Sequence, residues 1–150
     1  MPTRRKFIAQ STKAATAGYL GLIGLNAKSY ARIMGANDRV GVGVVGYSDR
    51  FRQSLMPSFL NHYKELNFEF MAVSDIWSVR REEGQGMLKS KIGNEIIACR
   101  NNEELYGLKG LDAVIISTAD FQHALHCIEA VKAGKDAYVE KPFAETMADN

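Results

Sequence analysis

From Arg39 onward, five short apolar or β-branched runs alternate with longer segments of helical period, an alternation that few folds accommodate. The runs are Val40–Val45, Phe68–Ser74, Ile96–Cys99, Ala113–Ile116 and Asp136–Val139. Between them lie a helix with Phe51, Leu55, Phe59 and Tyr63 in phase, a polar helix over Ser78–Lys91 and a short capped helix over Asn102–Leu108. A last helix over Phe121–Ala133 carries Phe121, Leu125, Ile128 and Val131 and is closed by Gly134. Strands apolar at consecutive positions need cover on both faces, and strands joined through helices run parallel. The expected fold class is therefore α/β, a doubly wound parallel sheet with helices on both faces. Pro57 sits badly in this scheme, because a proline inside a helix removes a hydrogen bond and kinks it.

Charge divides the 150-residue chain at the same place. Residues 1–37 carry six bases and no acid, and the remainder carries 13 bases against 17 acids, so a net charge of +2 hides a basic leader on an acidic body. The leader opens with Arg4-Arg5-Lys6 and continues into the uncharged run Ala14-Ala-Thr-Ala-Gly-Tyr-Leu-Gly-Leu-Ile-Gly-Leu25. Twelve residues suit the apolar core of a signal peptide and are too few for a stable membrane span. Ser29 and Ala31 form a small-residue pair that a signal peptidase accepts, with Leu25 and Ala27 as the weaker choice. Thr3-Arg4-Arg5-Lys6-Phe7-Ile8 resembles the twin-arginine export motif. The expected organisation is a twin-arginine signal peptide over 1–31, a linker over 32–38 and a folded domain over 39–150. That predicts engagement of the twin-arginine export machinery and a periplasmic or exported location. Bases and acids are interspersed in the body, which argues against nucleic-acid binding. Cys99 and Cys127 lack metal-site spacing and read as buried small hydrophobes; no metal is expected.

A literal G-x-G-x-x-G occurs at Gly41, Gly43 and Gly46, but in that register the residues before Gly41 cannot supply the first strand. With Val40–Val45 as the strand, Gly46 becomes the first turn glycine, and Ser48 and Phe51 take the places of the second and third. Ser48 still lets a phosphate approach the backbone, whereas Phe51 implies a looser helix–strand contact. Asp49 is placed to cap the helix, and a carboxylate beside a pyrophosphate needs an offsetting base, for which Arg50 is adjacent. Asp75 ends the second strand, where a dinucleotide-binding domain of Rossmann type hydrogen-bonds the adenosine ribose. It would repel a 2′-phosphate and so favours NAD over NADP, although Arg80 and Arg81 lie close by. Ser117 and Thr118 end the fourth strand, positioned to cap the next helix and to border the crevice, and His123 follows in the first helical turn. Glu140-Lys141-Pro142 ends the fifth, placing a charged pair at the same edge. Taken singly, each feature also has a plain structural reading: an ordinary βα turn, a helix cap, a surface ion pair.

Together the segments Asp112-Ala-Val-Ile-Ile-Ser-Thr-Ala-Asp-Phe-Gln-His123 and Ala130-Val-Lys-Ala-Gly-Lys-Asp-Ala-Tyr-Val-Glu-Lys-Pro-Phe143 resemble the Gfo/Idh/MocA family of NAD(P)-dependent oxidoreductases. The resemblance covers Arg39 to the C terminus. It departs from the family pattern at Ala119, which stands for the usual proline, at Phe121-Gln122, and at Ser48 and Phe51 in the turn. It implies a nicotinamide cofactor with Gly46, Ser48, Asp49 and Arg50 near the pyrophosphate and Asp75 at the ribose. Ser117, Thr118 and His123 would lie along the cofactor, and Glu140, Lys141 and Pro142 at its nicotinamide end, with a cis bond before Pro142. Lys141 is the candidate catalytic residue, polarising or orienting the reacting hydroxyl. Family members continue into a substrate domain, so the resemblance also implies that this chain is a truncated form lacking that domain. The expected function is the nucleotide-binding part of an exported oxidoreductase acting on a small sugar-like or cyclitol substrate, homo-oligomeric in its full-length form. The alternatives are an NAD-dependent glycosidase of the same fold and a non-catalytic nucleotide-binding protein.

Overall fold

The computed structural model describes residues 39–147. The expected signal peptide and linker lie outside the described residues. Within the described part, β1 (Val40–Val45), β2 (Phe68–Ser74), β3 (Ile97–Cys99), β4 (Ala113–Ile116) and β5 (Asp136–Val139) form one sheet in the order β3-β2-β1-β4-β5. Every pair is parallel. The connecting helices are α1 (Met56–His62), α2 (Ser78–Ile92), α3 (Asn102–Tyr106) and α4 (His123–Lys132). The order reverses between β1 and β4, and the β1 and β4 carboxyl ends therefore part to leave a crevice, the usual ligand position in an open α/β sheet.

Side-chain alternation explains why both faces are dry. Val42, Val44, Phe68, Phe70, Val73 and Ile115 point to one face, where they meet Phe51, Leu55 and Met56 before and within α1 and Leu88 of α2. Val45, Ala72, Val114 and Ile116 point to the other, against Leu105 of α3 and Ala130 of α4. A register shift between Val42 and Gly43 lets β2 carry one extra residue against β1.

Pro57 is accommodated by an irregular helix start. Residues Phe51–Leu55 form a π-helical turn, with the Met56 N–H on the Phe51 carbonyl, and α1 begins only at Met56. Pro57 thus falls in the first turn of α1, where a missing N–H leaves no gap. Phe51 is fully buried, its ring 5.7 Å from that of Tyr47 and 6.1 Å from that of Phe70 in an edge contact. The looser contact expected from this residue is therefore not seen: aromatic packing takes the place of a glycine's close approach. In α4 the large residues Leu125, Ile128 and Val131 are exposed, while His123, Ala124 and Ala130 are buried. Small side chains let this helix lie close on β4 and β5. Cys99 is buried, Cys127 half-buried, and both are free thiols. No helix of the described residues is long and apolar enough to cross a membrane.

Candidate cofactor-binding site

The crevice starts at the β1 turn. Gly46 has φ +84°, and a Cβ there would lie 2.7 Å from Thr118 Cγ2 and 3.0 Å from Thr118 Cα. Only glycine satisfies both the dihedral and the approach of the β4 loop. Its N–H donates to the Ser74 carbonyl at 2.8 Å, and its own carbonyl accepts from the Ser117 hydroxyl at 2.9 Å. Ser117 and Ser48 hydroxyls lie 3.2 Å apart, so three strand ends are tied into one rim.

Ser48, not Asp49, caps the helix that follows: its Oγ accepts the Phe51 N–H at 3.2 Å. The N–H groups of Ser48, Asp49 and Arg50 have no partner among the described residues. They provide free donors at a helix N-terminus, a place suited to phosphate. The Asp49 carboxylate is drawn aside by Arg52 and by Arg80 at 3.0 Å. The Arg52 guanidinium, chiefly by hydrogen bonding, holds this carboxyl below the ordinary carboxylate range. The expected offsetting role of Arg50 is thus taken by Arg52 and Arg80, which have the reach across to Asp49. Arg50 instead grips Glu140 with contacts of 3.3 Å to both carboxylate oxygens.

Asp75 closes the β2 end. One carboxylate oxygen accepts the Tyr47 N–H and the other the Trp77 N–H, each at 2.8 Å. The carboxylate is thereby fixed, with lone pairs left for a diol. It does not cap α2, whose N-cap position is held by Trp77 and carries no side-chain bond. The expected capping by Ser117 and Thr118 is likewise absent from the turn before α4, since Ser117 is spent on Gly46.

Two cavities flank this rim and share Ser117 and Thr118. The larger, about 570 Å³, is bounded by Gly46, Ser48, Asp75, Trp77, Arg80 and the α4 residue His126. The smaller, about 330 Å³, lies between Arg50, Asp120, His123, Glu140 and Lys141. Of the residues singled out from the sequence, Gly46, Ser48, Asp75, Arg50, Glu140 and Lys141 line one cavity or the other, whereas Asp49 and Pro142 line neither. His123 both lines the smaller cavity and holds its wall. Buried to 1% exposure, it places Nδ1 2.7 Å from the Pro142 carbonyl and Nε2 3.2 Å from the Thr118 carbonyl, bracing the two loops. The Lys141–Pro142 bond is cis. Lys141 is exposed, and among the described residues no carboxylate pairs with it, because Glu140 is held by Arg50. Among the described residues no three metal-ligating side chains converge.

Sequence reasoning passed over Trp77, Asn102, His126 and Glu129, which also line the larger cavity. A signal was present: His126 and Glu129 are polar residues three apart on a helix otherwise rich in apolar residues.

A chain this small can supply a cradle for a dinucleotide, and its geometry fits one: a glycine-only turn, free N–H donors, a fixed acid and a bipartite crevice. Comparison with known proteins agrees with that reading of the fold. An inositol 2-dehydrogenase from Saccharopolyspora erythraea is 34% identical over 80 residues, which cover 53% of this chain and 22% of the relative. Among solved structures, the WlbA dehydrogenase of Chromobacterium violaceum, in complex with NADH and UDP-GlcNAcA, superposes with TM-score 0.61 at 21% identity. That match covers 74% of this chain and 30% of the other. A 3-ketoreductase of Actinomadura kijaniata, in complex with TDP-benzene and NADP, superposes with TM-score 0.61 at 22% identity over 74% and 32% of the two chains. The chain thus spans less than a third of the length of each of these relatives. The model of the Gfo/Idh/MocA oxidoreductase family, NAD-binding Rossmann fold, matches residues 40–150, and the chain belongs to that family.

Proposed function

We propose that the domain binds NAD across the β1–β4 crevice and serves as the nucleotide half of an exported oxidoreductase that moves a hydride between NAD and a sugar or cyclitol hydroxyl. The carrying observation is Asp75, a carboxylate fixed by two backbone N–H groups on the wall of the larger cavity. Its remaining lone pairs suit the 2′- and 3′-hydroxyls of an adenosine ribose, and its charge opposes a 2′-phosphate. Arg80, which lines that cavity, is engaged by Asp49 and Glu83, and Arg81 donates to the Asp75 carbonyl at 2.9 Å, so both bases are already spoken for. From there the free N–H groups of Ser48, Asp49 and Arg50 receive the pyrophosphate, and the smaller cavity receives the nicotinamide end.

When bound, the nicotinamide supplies the carbon that accepts or returns the hydride. The chain's own residues do the rest. Lys141 Nζ, with no carboxylate paired to it among the described residues, donates a hydrogen bond to the reacting oxygen and orients it. The Arg50–Glu140 pair and His123 fix the backbone on either side of Lys141, which sets where that nitrogen can reach. The inositol and sugar-nucleotide relatives support a polyhydroxylated substrate. The paired arginines and the apolar run of residues 4–25 support export by the twin-arginine route, and homo-oligomerisation is proposed for the full-length form.

Calorimetric titration of the 150-residue chain with NAD and NADP tests the cofactor assignment. Binding of NAD at least tenfold tighter than NADP is expected, and Asp75→Ala should erase the difference. Absence of binding to either at millimolar concentration refutes the assignment, and a preference for NADP refutes the role given to Asp75.

A further inference from the structure

We propose that Asp49 and Glu83 are specificity-determining residues that act through Arg80: they hold its guanidinium in a ring of four charges at the β1 turn and so withhold from the larger cavity a base able to take a phosphate on the adenosine ribose. This rests on the NAD reading above and makes the preference for NAD depend on the β1 turn as well as on Asp75. Arg52 bonds Asp49 Oδ1 and lies 2.6 Å from Glu83 Oε1. Arg80 lies 3.0 Å from the same Asp49 oxygen and 3.5 Å from Glu83 Oε2. Each arginine therefore spans both acids, one acid from the turn after β1 and the other from α2, and the four charges cancel.

Among the described residues that line the larger cavity, Arg80 is the one Lys or Arg, and Asp75 lines the same cavity. Asp49 and Glu83 line neither cavity of the crevice, so their carboxylates bear on a ligand there through the arginine they hold. The ring is asymmetric. Arg52 has the shorter contact with each acid and Arg80 the longer, so Arg80 is the member displaced when one acid is neutralised. Without the Asp49 charge, two arginines compete for Glu83, where Arg52 is already seated at 2.6 Å. Arg80 then keeps only its 3.5 Å contact, from a side chain 24% exposed on the cavity wall and 5.7 Å from the Trp77 ring centroid. Ion pairs with an acid as exposed as Asp49 add little to stability, and a phosphate that receives a guanidinium fork outcompetes one long contact to a carboxylate.

The test titrates the 150-residue chain by calorimetry with NAD and NADP, and separately with 5′-AMP and adenosine 2′,5′-bisphosphate. Asp49→Asn should narrow the wild-type preference for NAD about tenfold, the effect of one charge-assisted hydrogen bond, and should shift the AMP pair in the same direction. An effect of the substitution on the pyrophosphate turn is common to both dinucleotides and leaves their ratio alone. Glu83→Gln, in a half-exposed side chain of α2, should shift the ratio the same way by a smaller factor, which keeps the test readable if Asp49→Asn folds poorly. Asp49→Glu should keep the wild-type ratio, Arg80→Gln alone should leave it unchanged, and Arg80→Gln added to Asp49→Asn should cancel the gain. In an Asp75→Ala background, Asp49→Asn should turn equal affinities into a preference for NADP. An unchanged ratio in both Asp49→Asn and Glu83→Gln, or a gain that survives Arg80→Gln and so comes from the lost acid charge alone, overturns the role of the ring while leaving NAD binding in place. If the wild type prefers NADP, the Asp75 reading and this inference fail together; if it binds neither dinucleotide, the cofactor reading falls and this inference with it.

Discussion

Two alanine substitutions separate the glycine that shapes the crevice from the glycine that merely fits the sheet. In Gly46→Ala the new Cβ meets Thr118 Cγ2 at 2.7 Å and Thr118 backbone atoms at 3.0 and 3.1 Å, at φ +84°. The left-handed backbone costs a residue with a Cβ about 1–2 kcal/mol, and overpacking against a backbone that must move adds about 1–3 kcal/mol. A loss of about 2–5 kcal/mol is a large part of a small domain's stability and lowers its melting temperature by roughly 10–25 °C. In Gly43→Ala the nearest atoms to the Cβ are Leu105 Cδ1 at 2.9 Å, Leu111 Cδ1 at 3.1 Å and Leu105 Cδ2 at 3.3 Å, the ends of side chains rather than backbone. Overpacking of about 1–2 kcal/mol is partly offset by the stiffer unfolded chain, leaving about 1 kcal/mol. Urea denaturation measures these costs, and calorimetry on the folded fraction measures NAD affinity. Gly46→Ala should weaken NAD at least tenfold by displacing the β4 loop, and Gly43→Ala should leave affinity unchanged. Adding Thr118→Ser to Gly46→Ala removes the Cγ2 clash and should restore part of the stability, which keeps the comparison readable if the single variant folds poorly. Equal affinity losses at Gly43 and Gly46, or none at Gly46, would refute the assignment of the turn to Gly46.

Other consequences are open to simpler assays. The Tyr47 hydroxyl is buried with no partner among the described residues, and burial, followed by the Glu83 charge, pushes its ionisation up. Tyr47→Phe should therefore be neutral or stabilising by up to about 1 kcal/mol in thermal denaturation, and a loss larger than that contradicts the unsatisfied hydroxyl. Burial, with Glu104 nearby, raises the Cys99 thiol above its ordinary range. A disulfide reagent at pH 8 should thus label half-buried Cys127 first and reach Cys99 only in denaturant; equal rates would contradict the packing around Cys99. Asp49, held low by Arg52 and Arg80, contributes stability that is complete above its unfolded value and lost as pH falls through its lower folded value. The urea midpoint of Asp49→Asn should accordingly fall less between pH 7 and pH 3 than that of the wild type, and an identical fall would remove Asp49 from the acid limb.

Most of the fold was legible because the strand signal is local. Val40–Val45, Phe68–Ser74 and Ala113–Ile116 are strands at their expected bounds, since apolar runs buried on two faces tolerate little else, and the half-exposed edge strand Asp136–Val139 also lies at its expected bounds. Helix interiors were harder, because the large residues of α4 suggest the wrong buried face. Ala124 and Ala130 are preferred against the sheet for their size, which hydropathy alone does not rank. The π-helical turn before α1 follows from tertiary packing of Phe51 and the demand of Pro57, neither visible as a period. At the site, Gly46, Asp75 and Lys141 were recoverable from their places at strand ends. The partners were not: that Arg50 would hold Glu140 across 90 positions, and that Arg52 and Arg80 would neutralise Asp49, depends on how helices turn over the sheet edge. The Asn102–His126–Glu129 wall was hidden for the same reason, as its members meet only when α3 and α4 flank the crevice.

Trp77 is the single tryptophan of the chain and stands on the wall of the larger cavity, so its fluorescence reports directly on occupation of the adenosine half. Titration with NADH should quench Trp77 emission saturably, with sensitised emission from the nicotinamide, and Asp75→Ala should weaken both at least tenfold. Trp77 emission that stays unchanged up to millimolar NADH, once corrected for absorption, would contradict a dinucleotide-binding crevice.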